Sequence, residues 1–160
     1  MLGQPDPISP LPWSGNAFNE WRSEFRKDGI VSIWAGNFPS VAEAEVYFGI
    51  PDETGVYLPA EAFAADFGLG DFPPEILEVN FEQVSPRPLR DLLENATFGP
   101  SFCCRAIDTA RQLGIHEAQG VALLYNFEYA LKPAPPDIPR PLTYIGAFPF
   151  VRVRYRARER

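Results

Sequence analysis

Few side chains in this 160-residue sequence have the type and spacing to do chemistry. The best candidates are Glu78, Asn80 and Glu82, which alternate along one predicted strand. They would project from one face with successive Cα atoms about 7 Å apart. Two acids so placed could share general acid–base work or hold a divalent cation, as in a small carboxylate-dependent or divalent-metal enzyme. The same spacing also describes a solvated sheet face or a docking surface, and that reading is preferred. His116 is the only histidine and follows Gly114-Ile115 at a helix end, the position of a surface or dipole-facing residue. Cys103 and Cys104 are adjacent, a spacing that suits neither a disulfide nor a standard zinc site. They read as one buried small hydrophobe and its neighbour. Ser40 and Ser101 both precede helices and are read as N-caps rather than nucleophiles. There is no glycine-rich phosphate loop and no G-x-S-x-G elbow. No catalytic residue, no metal ligand and no cofactor is therefore expected.

Charge says more. The formal charge is −7, but five arginines and one glutamate fall within residues 152–160, which leaves −11 on the body up to Val151. An acidic body argues against nucleic acid as a partner, because affinity for phosphates comes from Lys and Arg. It fits a partner that is itself basic, and it also serves solubility. The alternating Arg152, Arg154 and Arg156 could protect an edge strand or meet an acidic partner. No stretch approaches the roughly 20 apolar residues needed to span a bilayer, and the N-terminus lacks the pattern of a secretion signal. The expected location is cytoplasmic, with no membrane partner.

The elements that would position these groups centre on residues 30–38, Ile-Val-Ser-Ile-Trp-Ala-Gly-Asn-Phe. Apolar at nearly every position, this run suits a central strand covered on both faces. Trp34 brings an indole N–H that needs a partner if buried. Gly36 and Asn37 are the residues expected to take positive φ where the strand ends. Pro39-Ser40 then opens a helix over residues 41–48, with Ser40 and Glu43 at capping-box spacing and Val41, Ala44 and Phe48 facing inward.

Before this unit, four prolines in residues 1–13 predict an irregular N-terminal arm. Residues 14–27 read as a helix, with Phe18, Trp21 and Phe25 at helical spacing. After it come a helix from Pro59 that carries Ala62, Phe63, Ala65 and Phe67, and a strand over 75–84 with one wet face. A short helix over 88–94 points Leu89, Leu92 and Leu93 inward. The best amphipathic helix, capped by Ser101, runs to about 113 with Phe102, Cys103, Ala106, Ala110 and Leu113 on one stripe. The second strong strand is 120–127, with Tyr125, Phe127 and Tyr129 expected on one face. The last strand, 142–148, meets Pro149 and should lie at an edge or bend onto residues 151–155. The expected organisation is an arm (1–13), one domain (14–151) and an arginine-rich tail (152–160). The fold class is α+β: a single mixed or mainly antiparallel sheet with helices packed on it.

Three stretches carry a family resemblance. They are Val31-Ser32-Ile33-Trp34-Ala35-Gly36-Asn37-Phe38, Phe63-Ala64-Ala65-Asp66-Phe67-Gly68 and Ala122-Leu123-Leu124-Tyr125-Asn126-Phe127-Glu128-Tyr129. Together they resemble the bacterial immunity protein 22 family, over roughly residues 30–148. Members of that family are found beside polymorphic toxin genes. The resemblance implies an α+β protein that neutralises a toxin by binding it, without catalysis. It marks Trp34, Gly36, Asn37, Phe38, Tyr125 and Phe127 as motif residues. If the toxin is a basic nuclease, Glu43, Glu45, Asp52, Glu53, Glu78 and Glu82 are the candidate partner-binding residues. A free C-terminal edge strand would also allow a homodimer.

Overall fold

The computed structural model describes residues 24–49, 60–70, 72–81, 85–130 and 140–152. The predicted N-terminal arm, residues 51–59, the proline-rich 131–139 and the tail from residue 153 lie outside them. Four strands form one antiparallel sheet in the order β2-β5-β1-β6: β1 (Arg26–Gly36), β2 (Leu77–Phe81), β5 (Gly120–Phe127) and β6 (Leu142–Pro149). A two-residue ladder joins β3 (Arg87–Pro88) to β4 (Glu117–Ala118). The helices are α1 (Val41–Phe48), α2 (Glu61–Phe67), α3 (Leu89–Glu94) and α4 (Cys103–Gln112). This is the expected α+β class, and the sheet is antiparallel throughout.

The β1–β5 pair is the spine. Residues 31–35 and 120–127 are all buried, as a run without alternation requires when both faces are covered. The register places Trp34 opposite Ala122 and Tyr144, and Val79 opposite Ala122, so these residues share one face. On that face Trp34 lies 5.0 Å from Phe63 of α2 and 5.2 Å from Tyr144, between ring centroids. Val31 and Tyr125 form a pair on the other face, where α3 and α4 pack. Among the described residues the buried Trp34 indole N–H has no hydrogen-bond partner, and its ring is held by packing against Phe63, Phe67, Tyr129 and Tyr144.

Several sequence expectations are corrected here. β1 begins at Arg26, so the helix expected to reach Lys27 does not; Glu24 and Phe25 form a turn, and residues 14–23 lie outside the described part. Neither Gly36 nor Asn37 takes positive φ. Gly36 is needed for close approach instead: a Cβ there would sit 2.1 Å from the Pro141 carbonyl oxygen. Asn37 works through its side chain, whose Oδ1 accepts the Gln119 N–H at 2.8 Å. In return, Gln119 Oε1 accepts the Phe38 N–H at 2.6 Å.

Tyr125 and Phe127 do not share a face. Asn126 takes φ 58°, and its Oδ1 accepts the Gly29 N–H at 2.8 Å, which breaks the two-residue alternation. Tyr125 therefore packs on Phe150, while Phe127 packs on Phe25. Ser101 does not cap α4. It lies in a 3-10 turn (Gly99–Ser101), and its hydroxyl donates to the Phe98 carbonyl and accepts the Val151 N–H. Leu113 and Val41, expected inward, are exposed. So are Ala62 and Ala65 of α2, which buries Phe63 and Phe67.

Other expectations hold. Ser40 caps α1 by accepting the Glu43 N–H at 3.2 Å. Cys103 is buried beside exposed Cys104, and Leu89, Leu92 and Leu93 are inside. β6 lies at a sheet edge.

Ser32 links β1 to the chain just beyond β5. Its buried hydroxyl donates to the Phe127 carbonyl at 2.6 Å and accepts the Tyr129 N–H at 3.0 Å. Ser32→Ala removes both of these bonds from a dry interior. It should destabilise the fold by about 2–4 kcal/mol in urea denaturation, whereas a loss under about 0.5 kcal/mol would contradict this role.

Candidate functional site

The structure places the sequence-predicted acids on opposite sides of the sheet. Glu78 and Asn80 do share a strand face, but it is half-buried rather than open, with α3 and the turn after it lying against it. Both Glu78 carboxylate oxygens accept the Thr97 N–H, at 3.1 and 3.2 Å, and Oε1 also accepts the Tyr125 hydroxyl at 2.7 Å. The Tyr125 hydroxyl also lies 2.7 Å from the Thr97 carbonyl, and Asn80 Nδ2 donates to the Leu92 carbonyl at 3.3 Å. Glu78 thus holds the end of α3 against β5. Glu82 lies outside the described residues, and among those described no group of three His, Cys, Asp or Glu side chains could hold a metal ion. His116 is exposed, and its carbonyl accepts the Leu89 N–H.

Glu43 and Glu45 are on the opposite layer, exposed on α1. Asp52 and Glu53 lie outside the described residues. The layer is built as follows. The Gly36–Pro141 approach and the Gln119 clamp fix where the chain leaves β1. Phe38 then packs on Tyr47 (5.1 Å), Phe48 (5.8 Å) and Phe81 (5.2 Å), centroid to centroid. Tyr47 donates its hydroxyl to Asp66 Oδ2 at 2.7 Å, latching α1 to α2. Arg140 lies over the Phe67 ring at 5.4 Å.

Beside the two helices runs an open groove of ≈ 580 Å³, lined by Phe38, Pro39 and Pro141, by Ala42 and Val46 of α1 and by Ala62 of α2. Its lining is almost wholly carbon; Glu43 and Tyr47 also contribute to it. Val46 is 79% exposed, the most exposed large hydrophobic side chain among the described residues. Sequence reasoning missed Val46, Ala42 and the Tyr47–Asp66 latch. The available signal was that α1, Val-Ala-Glu-Ala-Glu-Val-Tyr-Phe, is apolar on more sides than one buried stripe can use.

Burial and the Asp66 contact hold the Tyr47 phenol well above its ordinary value of 10. Burial and Glu78 do the same for Tyr125, and burial pushes Tyr144 up to about 12. A raised folded-state pKa adds stability that is complete below the unfolded value near 10 and is lost as pH rises through the folded value. Stability should therefore fall from pH 10 to 12, and Tyr125→Phe should make that fall shallower. Unfolding followed by circular dichroism across this range would contradict the assignment if the slope were unchanged.

No helix among the described residues is long and apolar enough to cross a membrane. No curated protein matches the chain, and no solved structure matches it. A family model described as immunity protein 22 matches residues 31–150, three-quarters of the chain. That span takes in every helix and strand named above except the first residues of β1, and it includes Trp34, Gly36, Asn37, Phe38, Tyr125 and Phe127. The chain belongs to the immunity protein 22 family.

Proposed function

We propose that this protein neutralises a cognate toxin by binding to it, with no catalysis of its own, and that the toxin presents a basic surface, as a nuclease would. Family membership suggests toxin neutralisation. The observation that carries the finer reading is the exposed α1, whose Glu43 and Glu45 take part in no ion pair among the described residues. Unpaired surface carboxylates speed the encounter with a basic partner and add little to the fold. Asp52 and Glu53 follow α1 in sequence and extend the acidic run. Glu78 already serves the Tyr125 hydroxyl and the Thr97 N–H, so it would contribute less to a partner. That engagement also removes the main support for a carboxylate enzyme built on Glu78 and Glu82.

Mixing the chain with the product of the toxin gene beside its own should give a one-to-one complex. Association should slow markedly as salt rises from about 50 to 300 mM. Co-expression should restore growth to cells that make the toxin. Absence of a complex at low salt, with no protection, would contradict the proposal.

A further inference from the structure

The two helix layers treat their acids differently. Every carboxylate on α3 and α4 has an arginine beside it: Asp91 with Arg87 (3.7 Å), Glu94 with Arg90 (3.4 Å) and Asp108 with Arg111 (3.4 Å). On α1 and α2 there are four carboxylates and no Lys or Arg. Asp66 is used by Tyr47, while Glu43, Glu45 and Glu61 are exposed and in no ion pair among the described residues. Glu43 lines the groove that carries Val46, while Glu45 stands beside Val46 in the α1 sequence and Glu61 beside the groove residue Ala62 in α2. Arg140 lies over the Phe67 ring of this layer, yet among the described residues it forms no ion pair with Glu43, Glu45 or Glu61, so one layer has its acids matched and the other does not around its apolar cleft.

From this we infer that the α1–α2 groove is the toxin-docking surface, and that its occupant is a segment of the toxin that is basic and carries a bulky apolar side chain. The inference rests on the proposed neutralisation by binding and assigns it to one face. The apolar side chain would lie against Val46, Ala42 and Ala62, where desolvation is greatest, and Lys or Arg on either side would meet Glu43, Glu45 and Glu61. An apolar centre with a charged rim is the arrangement in which a few central residues hold the complex and the rim governs approach. The groove is also pre-organised: the Tyr47–Asp66 latch and the Phe38 ring cluster fix both walls before a partner arrives, so little ordering remains to be done on binding.

Binding kinetics with the toxin encoded beside the gene separate the two claims. Val46→Ser should speed dissociation about tenfold at any salt. Combined Glu43→Gln, Glu45→Gln and Glu61→Gln should slow association about tenfold at low salt, and this difference should vanish at high salt. The combined Asp91→Asn and Asp108→Asn control on the other layer should change neither rate by more than about twofold. Val46→Ala, which keeps helix propensity, serves as a second variant, and unchanged melting temperatures show that each variant is folded. If the unaltered chain binds the toxin and the groove variants bind as well as it does, the inference is overturned while the proposed function stands. If the unaltered chain does not bind, the proposed function falls and takes the inference with it. A homodimer that Val46→Ser dissociates, with toxin binding intact, would make a second copy the occupant and also overturn it.

Discussion

A strand pair that is apolar on both faces has to be covered twice, and most of this architecture follows from that need. β1 and β5 bury every side chain from 31 to 35 and from 120 to 127. Neither strand could face water, so the chain places two helices on each side. The cost of a dry centre is that polar groups inside it must be paired. Ser32 meets this need for the backbone of Phe127 and Tyr129, and Asn126 for that of Gly29. At the far end of β1, the reciprocal bonds between Gln119 and the Asn37-Phe38 segment do the same where the chain turns toward α1.

The two covers then differ in how they are held. One is tied to the sheet by polar contacts that reach inward: Glu78 to Thr97 and Tyr125, Asn80 to Leu92, Ser101 to Val151. Its surface acids are matched by arginines. The other is held by aromatic rings, with Trp34, Phe38, Tyr47, Phe48, Phe63 and Phe67 in a continuous cluster. Ring packing secures that layer from beneath, so its outer surface can present unmatched carboxylates and an exposed valine without weakening the core. On the proposed reading, the outer surface of this layer is free for binding while its inner surface packs on the sheet.

How legible this was in the sequence depended on whether a signal was local. The α1 boundaries, the β5 span and the three inward leucines of α3 follow from periodicity and caps, and all agree with the structure. The start of β1 did not, because Phe25 has the spacing of a helical stripe and is recruited by Phe127 and Tyr129, about a hundred residues away. The face of Tyr125 was misread because alternation holds only while the backbone stays extended, and Asn126 departs from that to accept a bond from Gly29. At Gly36 the need for glycine comes from close approach rather than positive φ, and the Pro141 carbonyl that crowds it belongs to the residue just before β6, about a hundred positions away. For the candidate site, Glu43 and Glu45 were visible as exposed acids. The groove was not, because it exists only once α1, α2 and Pro141 come together.

The central claim is that one helix layer binds while the other holds the fold together. Amide hydrogen exchange on the protein, alone and in complex with its neighbouring toxin, tests it most directly. The account predicts added protection confined to residues 41–48 and 61–67, with residues 89–94 and 103–112 unchanged. Protection that instead appeared on residues 89–94 and 103–112, with α1 and α2 unaffected, would contradict it.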